Sequence, residues 1–223
     1  MNATEKTVES LVRYCSEGFS ALVGKFHAHL TVQIDADRMQ ECKAFCRDHK
    51  VKLTVVDLQK DDRQQRDVMI TVHFRDQLAG AVGRISQRLT ELCELADQAG
   101  LPVQRAKLEH ESLPTVTPFS KENYHEVHIK LQINADVYEH DFARLNQLGD
   151  RYGFVPSRNP FQRTESTVIQ FANLRIYQGD QSSADATIEN VQRALADNDF
   201  QVVETKRETV VFDTAHQMDA WWA

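Results

Sequence analysis

The 223-residue sequence predicts an α+β fold in which two similar units follow one N-terminal helix. Two stretches read almost alike, KFHAHLTVQID from Lys25 and YHEVHIKLQIN from Tyr124. Each opens a run of strand-like and helix-like segments in the order βαββαβ. That order defines the ferredoxin-like plait, so the sequence predicts a tandem duplication of ferredoxin-like plaits.

Hydrophobic spacing places the elements of the first half. Apolar residues recur near every 3.6 positions over residues 4–23, which predicts the N-terminal helix. Alternation with a period of two is typical of a strand with one buried face. On these criteria the first half has strands over residues 26–34, 51–58, 67–75 and 102–110, and helices over residues 35–50 and 76–100.

The second half repeats this order after ESLPTVTPFSKEN, a cluster of Pro, Ser and Thr that is typical of a linker. Gly153 supplies a helix stop, and Pro156 predicts that its strand lies at a sheet edge. The strands are predicted over residues 126–134, 154–159, 166–177 and 200–213, and the helices over 137–153 and 182–199. The expected domains are the N-terminal helix (1–24), the first ferredoxin-like repeat (25–113), the linker (114–122) and the second repeat with its C-terminal tail (123–223).

Composition limits the function classes. The hydrophobic fraction of 41% and the charged fraction of 26% are ordinary for a soluble globular protein. No apolar run approaches the ~20 residues of a membrane span, and the N-terminus lacks the pattern of a secretory signal. The net charge of −7 argues against a general nucleic-acid-binding surface. We therefore expect a cytoplasmic protein that binds neither membranes nor nucleic acid in general.

Local motifs narrow the choice further. The sequence has no P-loop, GxGxxG, GxSxG or HExxH pattern, which leaves nucleotide triphosphatase, dehydrogenase, serine hydrolase and zincin activities without support. The four cysteines are interpreted as free thiols in a reducing compartment, because no second pair completes a zinc set with Cys42 and Cys46.

The side of each sheet that faces away from the helices is predicted to be polar. Alternate residues of a strand point to opposite faces, so Ala28 and Leu30 face the helices while His27 and His29 face away. His128 takes the corresponding place in the second half. We expect His29 and His128 to act as a general acid–base pair in a cleft between the two sheets. The residues expected to bind the substrate there are Thr31, His73, Arg105, Lys107, Lys130 and Arg175.

Two resemblances suggest a phosphorylated substrate. HLTV, with His29 and Thr31, resembles the HxT motif of the two-histidine phosphoesterases, which are bilobal and internally duplicated. EVHIK and RAKLE resemble the charged strands of the CYTH, or triphosphate tunnel, proteins, whose motif is ExExK. These resemblances imply hydrolysis of a phosphoester or phosphoanhydride. In the second half, Lys130 stands where the first resemblance would place threonine.

A divalent metal is the cofactor for which the sequence offers ligands. His27 and His29 share one strand face at a spacing of about 7 Å. With Glu109 or Glu126 they would form a His/carboxylate site.

The sequence leaves two classes of function open. One is an enzyme that acts on a phosphorylated or other anionic small molecule, by paired histidines or by a metal. The other is a non-catalytic binding or assembly module. Oligomers would form through sheet edges.

Overall fold

The structure is a computed structural model that describes residues 4–9, 25–60, 63–74, 81–111, 124–177 and 179–215. Its strands are β1 (Phe26–Val32), β2 (Lys52–Lys60), β3 (Arg63–Phe74), β4 (Val103–His110), β5 (Tyr124–Asn134), β6 (Val155–Arg163), β7 (Thr167–Ile176) and β8 (Gln201–Asp213). Its α-helices are α1 (Met39–Asp48), α2 (Ala81–Gln98), α3 (Tyr138–Tyr152) and α4 (Gln181–Asp197), and residues 4–9 are also helical. The predicted linker, 114–122, lies outside the described residues, as does most of the N-terminal helix.

The order of these elements along the chain agrees with the order predicted from hydrophobic spacing. Helix α3 ends as expected at Gly153, whose φ of 75° is the left-handed conformation that glycine adopts most readily. Helix α4 begins with a capping box, in which the side chain of Asp180 accepts a hydrogen bond from Ser183 N–H. Local sequence signals therefore determine where these helices begin and end.

The strand arrangement contradicts the predicted fold class. The described strands form a closed barrel in the order β1-β3-β2-β6-β7-β5-β8-β4, whereas two ferredoxin-like plaits would each keep an open sheet. In this order β2 is a neighbour of β6, with Asp57 paired to Arg158 and Leu58 paired to Ser157. The prediction of a tandem ferredoxin-like duplication is therefore wrong. The expected assembly through sheet edges stays a prediction that a closed strand order does not favour.

The chain divides into two compact units, each made of separate segments. Unit 1 comprises Met1–Thr54, Val68–Pro114 and Val210–His216, and unit 2 comprises Val55–Asp67, Thr115–Thr209 and Gln217–Ala223. Among the described helices, none has the length and hydropathy required to cross a bilayer.

Each unit has an apolar core on one face of its strands. In unit 1, the buried apolar side chains of β1 are Phe26, Ala28, Leu30 and Val32, and α2 adds Leu89 and Leu92. In unit 2, β5 contributes Val127, Ile129, Leu131 and Ile133 to a cluster with residues of α3, β7 and α4. The period-two alternation of β1 and β5 leaves their histidines His29 and His128 on the other face, as the sequence predicted.

Candidate metal centre

Strand β1 carries two histidines into the centre of the unit 1 sheet, because it is paired on both sides. The β1–β4 register places His27 opposite Glu109 and His29 opposite Lys107. On the other side, the β1–β3 register places His27 opposite His73 and His29 opposite Thr71. All six of these side chains therefore belong to one face of the sheet.

Both histidines contact the same carboxylate oxygen. His27 Nε2 lies 2.7 Å from Glu109 Oε2, and His29 Nε2 lies 3.2 Å from that atom. His27 and Glu109 are almost fully buried, with exposed side-chain fractions of 2% and 1%. One ligand atom from each of the three residues lies within 4.8 Å of the other two. We call His27, His29 and Glu109 the inner set.

Neighbouring side chains hold the inner set in place. The Lys107 ammonium lies 2.5 Å from the other carboxylate oxygen of Glu109, Oε1. His29 Nδ1 lies 2.9 Å from the hydroxyl of Thr71, which in turn lies 2.8 Å from the hydroxyl of Thr54. In one neutral tautomer, Nε2–H of His29 donates to Glu109 and Nδ1 accepts from the Thr71 hydroxyl. In the other, Nδ1–H donates to Thr71, and this is the tautomer whose Nε2 lone pair could bind a metal ion.

The electrostatic environment favours the ligand forms of these groups. Burial lowers the pKa of His29 below its usual value, although Glu109 opposes that effect, so the neutral imidazole is favoured. Burial alone would raise the pKa of Glu109. Lys107 and the two histidines outweigh it and hold that pKa well below the usual value. The favoured state is a carboxylate beside a neutral imidazole.

A second group of potential ligands shares His27. The imidazole rings of His27 and His73 have centroids 5.6 Å apart. His27, His73 and Glu111 again offer ligand atoms within 4.8 Å of one another. His73 and Glu111 are exposed, in contrast to the inner set. We call these three residues the outer set.

Unit 2 places His128 in a hydrogen-bonded arrangement of its own. His128 Nε2 lies 3.1 Å from Glu208 Oε2, and Nδ1 lies 2.7 Å from Asn173 Oδ1. The amide nitrogen of Asn173 donates to the carbonyl of Val155 and to the hydroxyl of Ser157. Since a carbonyl only accepts, Oδ1 of Asn173 faces His128 and accepts the proton of Nδ1–H.

The two predicted acid–base histidines therefore lie in different units, each beside its own glutamate. Their catalytic pairing stays a prediction. In both units the glutamate follows a lysine two residues earlier, and the Lys107–Glu109 and Lys206–Glu208 distances are both 2.5 Å. Sequence reasoning missed Glu208, although the repeated Lys-x-Glu pattern of KLE and KRE could have indicated it.

The prediction of a phosphate-binding hydrolase site needs correction, because each of its predicted cations lies next to a carboxylate. Arg105 donates from Nε to Asp213 Oδ1 at 2.8 Å, and Lys107 contacts Glu109. The other predicted cations are also next to acids: Arg175 Nε lies 3.2 Å from Glu126 Oε1, and Lys130 Nζ lies 4.0 Å from Glu204 Oε2. Each acid reduces the attraction that its cation could exert on an anionic substrate.

The remaining predicted residues have mixed outcomes. Thr31 is buried on the same face as the inner set, opposite Arg105. Among the described residues, Glu126 belongs to no group of potential metal ligands, and its carboxylate is used by Arg175. Of the candidate metal ligands His27, His29, Glu109 and Glu126, the structure brings the first three together.

Comparisons with known proteins add little to this geometry. No family model matches the chain, and no curated protein matches it. The small subunit of acetolactate synthase from Thermotoga maritima is 12% identical, with 86% of this chain and 95% of that chain covered and a TM-score of 0.26. A protein from Fusobacterium nucleatum subsp. nucleatum described as a monooxygenase is 8% identical, with 85% and 92% covered and a TM-score of 0.28. At these TM-scores neither likeness supports an argument about fold or function.

Proposed function

We propose that unit 1 binds one divalent transition-metal ion through the inner set and that the protein is a metal-dependent enzyme. The observation that carries the proposal is the convergence of His27, His29 and Glu109, whose ligand atoms lie within 4.8 Å of one another in a buried site. Buried imidazole and carboxylate groups are costly unless they are paired or bind a metal.

The spacing of the inner set suits a metal of the first transition row. Bonds of about 2.0–2.2 Å in a tetrahedral arrangement place ligand atoms about 3.3 Å apart. The two distances to Glu109 Oε2, 2.7 and 3.2 Å, differ from that value by about 0.6 and 0.1 Å. The absence of a thiolate from the inner set favours Zn²⁺ or Fe²⁺ over Cu⁺.

The neighbouring contacts suit a ligand set with an open coordination position. Lys107 holds Oε1 of Glu109, which leaves Oε2 to act as a single-oxygen ligand. Thr71 fixes the His29 ring through Nδ1, the type of outer contact that orients metal-binding histidines. Three protein ligands are typical of catalytic sites, in which a metal with an open position supplies Lewis acidity or an activated water.

A cytoplasmic location fits the thiols of the protein. Cys42, Cys46 and Cys93 are free and buried, as expected in a reducing compartment.

Metal titration of the full-length protein tests the proposal. After treatment with a chelator, we expect wild type to bind one equivalent of Zn²⁺ by isothermal titration calorimetry. The variants His27→Asn and His29→Asn remove a ligand, so each should weaken binding by more than the roughly 10–100-fold that loss of an outer contact costs. The matched control is His128→Asn, which removes a histidine with a similar glutamate contact in unit 2.

Two outcomes would refute the proposal. One is a wild type that binds no Zn²⁺, Fe²⁺ or Co²⁺. The other is equal loss of affinity in His128→Asn and His29→Asn, which would show that the inner set has no special part in binding.

A further inference from the structure

We propose that the outer set is the position through which a metal ion reaches the inner set, with His27 transferring the ion between them. This inference rests on the proposed metal binding and adds a route to it. His73 and Glu111 are its new functional residues, and their ligand is the same divalent transition-metal ion.

The two sets are adjacent along one sheet face. The β1–β3 register pairs Phe26 with Phe74, and the β1–β4 register pairs Phe26 with His110. The outer set therefore lies where β1 begins and where β3 and β4 end. The inner set lies further along β1, towards His29, and His27 belongs to both.

Sharing His27 makes the two sets alternative positions for one ion. A neutral imidazole has one nitrogen lone pair, because its other nitrogen carries a proton. His27 can therefore coordinate an ion in the outer set or in the inner set, and both at once would require an imidazolate. A pair of simultaneously occupied metal positions is thus disfavoured, and stepwise transfer through His27 is favoured.

Burial supplies a direction for the transfer. His73 and Glu111 are exposed, whereas His27 and Glu109 are almost fully buried. A hydrated ion can meet the outer set directly, but it must lose water before it contacts Glu109. Replacing water by protein ligands in steps avoids a bare ion at any stage.

The charge of Glu111 suits the capture of a cation. Its carboxylate lies 3.7 Å from the ammonium of Lys25, whose side chain is 71% exposed. Exposed pairs of this kind contribute little free energy, so an incoming dication can displace Lys25. The imidazole of His73 would then complete a carboxylate–imidazole capture site.

Rapid-mixing measurements with Co²⁺ as the probe test the route. Co²⁺ has visible absorption bands that report its coordination, so both binding and chelator-driven release can be followed in the full-length protein. Charge-lined sites raise association rates by about 10–1,000-fold, so we expect Glu111→Gln to slow binding by about tenfold. His73→Asn removes a potential ligand from the outer set, and we expect it also to slow binding and release.

Comparing the rate constants with the dissociation constant distinguishes a residue on the route from a ligand of the final site. A residue on the route changes the association and release rates by the same factor, so the dissociation constant stays at the wild-type value. Glu204→Gln is the matched control, because Glu204 is another exposed carboxylate near a lysine, Lys130. We expect this control to bind and release Co²⁺ at wild-type rates.

Three results would overturn the inference. Unchanged rates in both His73→Asn and Glu111→Gln would show that the ion does not pass the outer set. Weaker affinity with an unchanged association rate would make these residues ligands of the final site. If the wild type binds no Co²⁺, both the proposed metal binding and the route are refuted. The first two results refute only the route.

Discussion

At the residue scale, burial changes the titration of a histidine that has no part in the proposed metal site. His125 is 1% exposed, and its Nδ1 lies 3.3 Å from the hydroxyl of Thr209. Burial lowers the pKa of His125 to about 4, with Asp185 opposing the shift and Arg207 adding to it. Arg207 and Asp185 form an ion pair with each other, which limits the net charge that His125 experiences.

This shift predicts how stability depends on pH. The unfolded chain protonates His125 near pH 6.5, whereas the folded chain resists protonation until about pH 4. The free energy of unfolding should therefore fall as the pH drops from 6.5 to 4, by up to about 3 kcal/mol from this residue. Urea denaturation at several pH values measures the fall, and His125→Asn should reduce it. An identical pH dependence in wild type and variant would contradict the assignment.

At the element scale, helix α3 packs so closely on the following segment that one position requires glycine. A Cβ built on Gly149 would lie 2.5 Å from the backbone carbonyl oxygen of Phe154 and 3.4 Å from Cδ of Pro156. Phe154 also donates its N–H to the carbonyl of Gly149 at 3.2 Å. Since a backbone atom cannot rotate away as a side chain can, the helix end and the start of β6 are fixed together.

Gly149→Ala should therefore destabilise the protein, although alanine is the better helix former by about 1 kcal/mol. Overpacking of this kind costs roughly 1–3 kcal/mol, and the measurement is the urea midpoint at constant m-value. Ala143→Gly is the control for helix propensity, because Ala143 is exposed on the same helix. If Gly149→Ala raised the midpoint, close packing at this position would be excluded.

The strands show which elements could be predicted from sequence. Alternation predicted the apolar side of β1 correctly, because the side to which a residue points depends only on its place in the strand. It did not predict that His27 and Thr31, on the polar side, are buried as well. The contact between His29 and Thr71 could not be predicted in the same way. It depends on the register between β1 and β3, which joins residues 42 positions apart.

At the scale of the whole molecule, hydrophobic periodicity could not predict which strands lie next to one another. Pro156 lacks an N–H and suggested an edge strand, yet β6 pairs with both β7 and β2. The hydrophobic pattern specifies a buried face but not the strand that lies alongside. For the same reason the inner set was only partly predictable. The sequence allowed either Glu109 or Glu126 as the carboxylate ligand, and only the β1–β4 register shows that Glu109 lies opposite His27.

Barrel closure places a buried ion pair at the junction of β4 and the end of β8. Arg105 and Asp213 have exposed side-chain fractions of 8% and 0%, and two guanidinium nitrogens bond to the carboxylate. Beside them, Thr214 N–H donates to the carbonyl of Ala106, and Ala106 N–H donates to the Thr214 hydroxyl. The guanidinium also holds the pKa of Asp213 below its usual value, against the opposing effect of burial.

Removing one partner of this pair should cost more than removing both. Asp213→Ala leaves the Arg105 guanidinium buried without its carboxylate, so we expect a loss of about 3–5 kcal/mol in the free energy of unfolding. The double variant Arg105→Met with Asp213→Leu replaces the charges by apolar groups and should recover most of that loss, since a buried ion pair contributes little over good apolar packing. Urea denaturation of the single and double variants gives both values. A double variant as unstable as Asp213→Ala would mean that the closing strands require the ion pair itself.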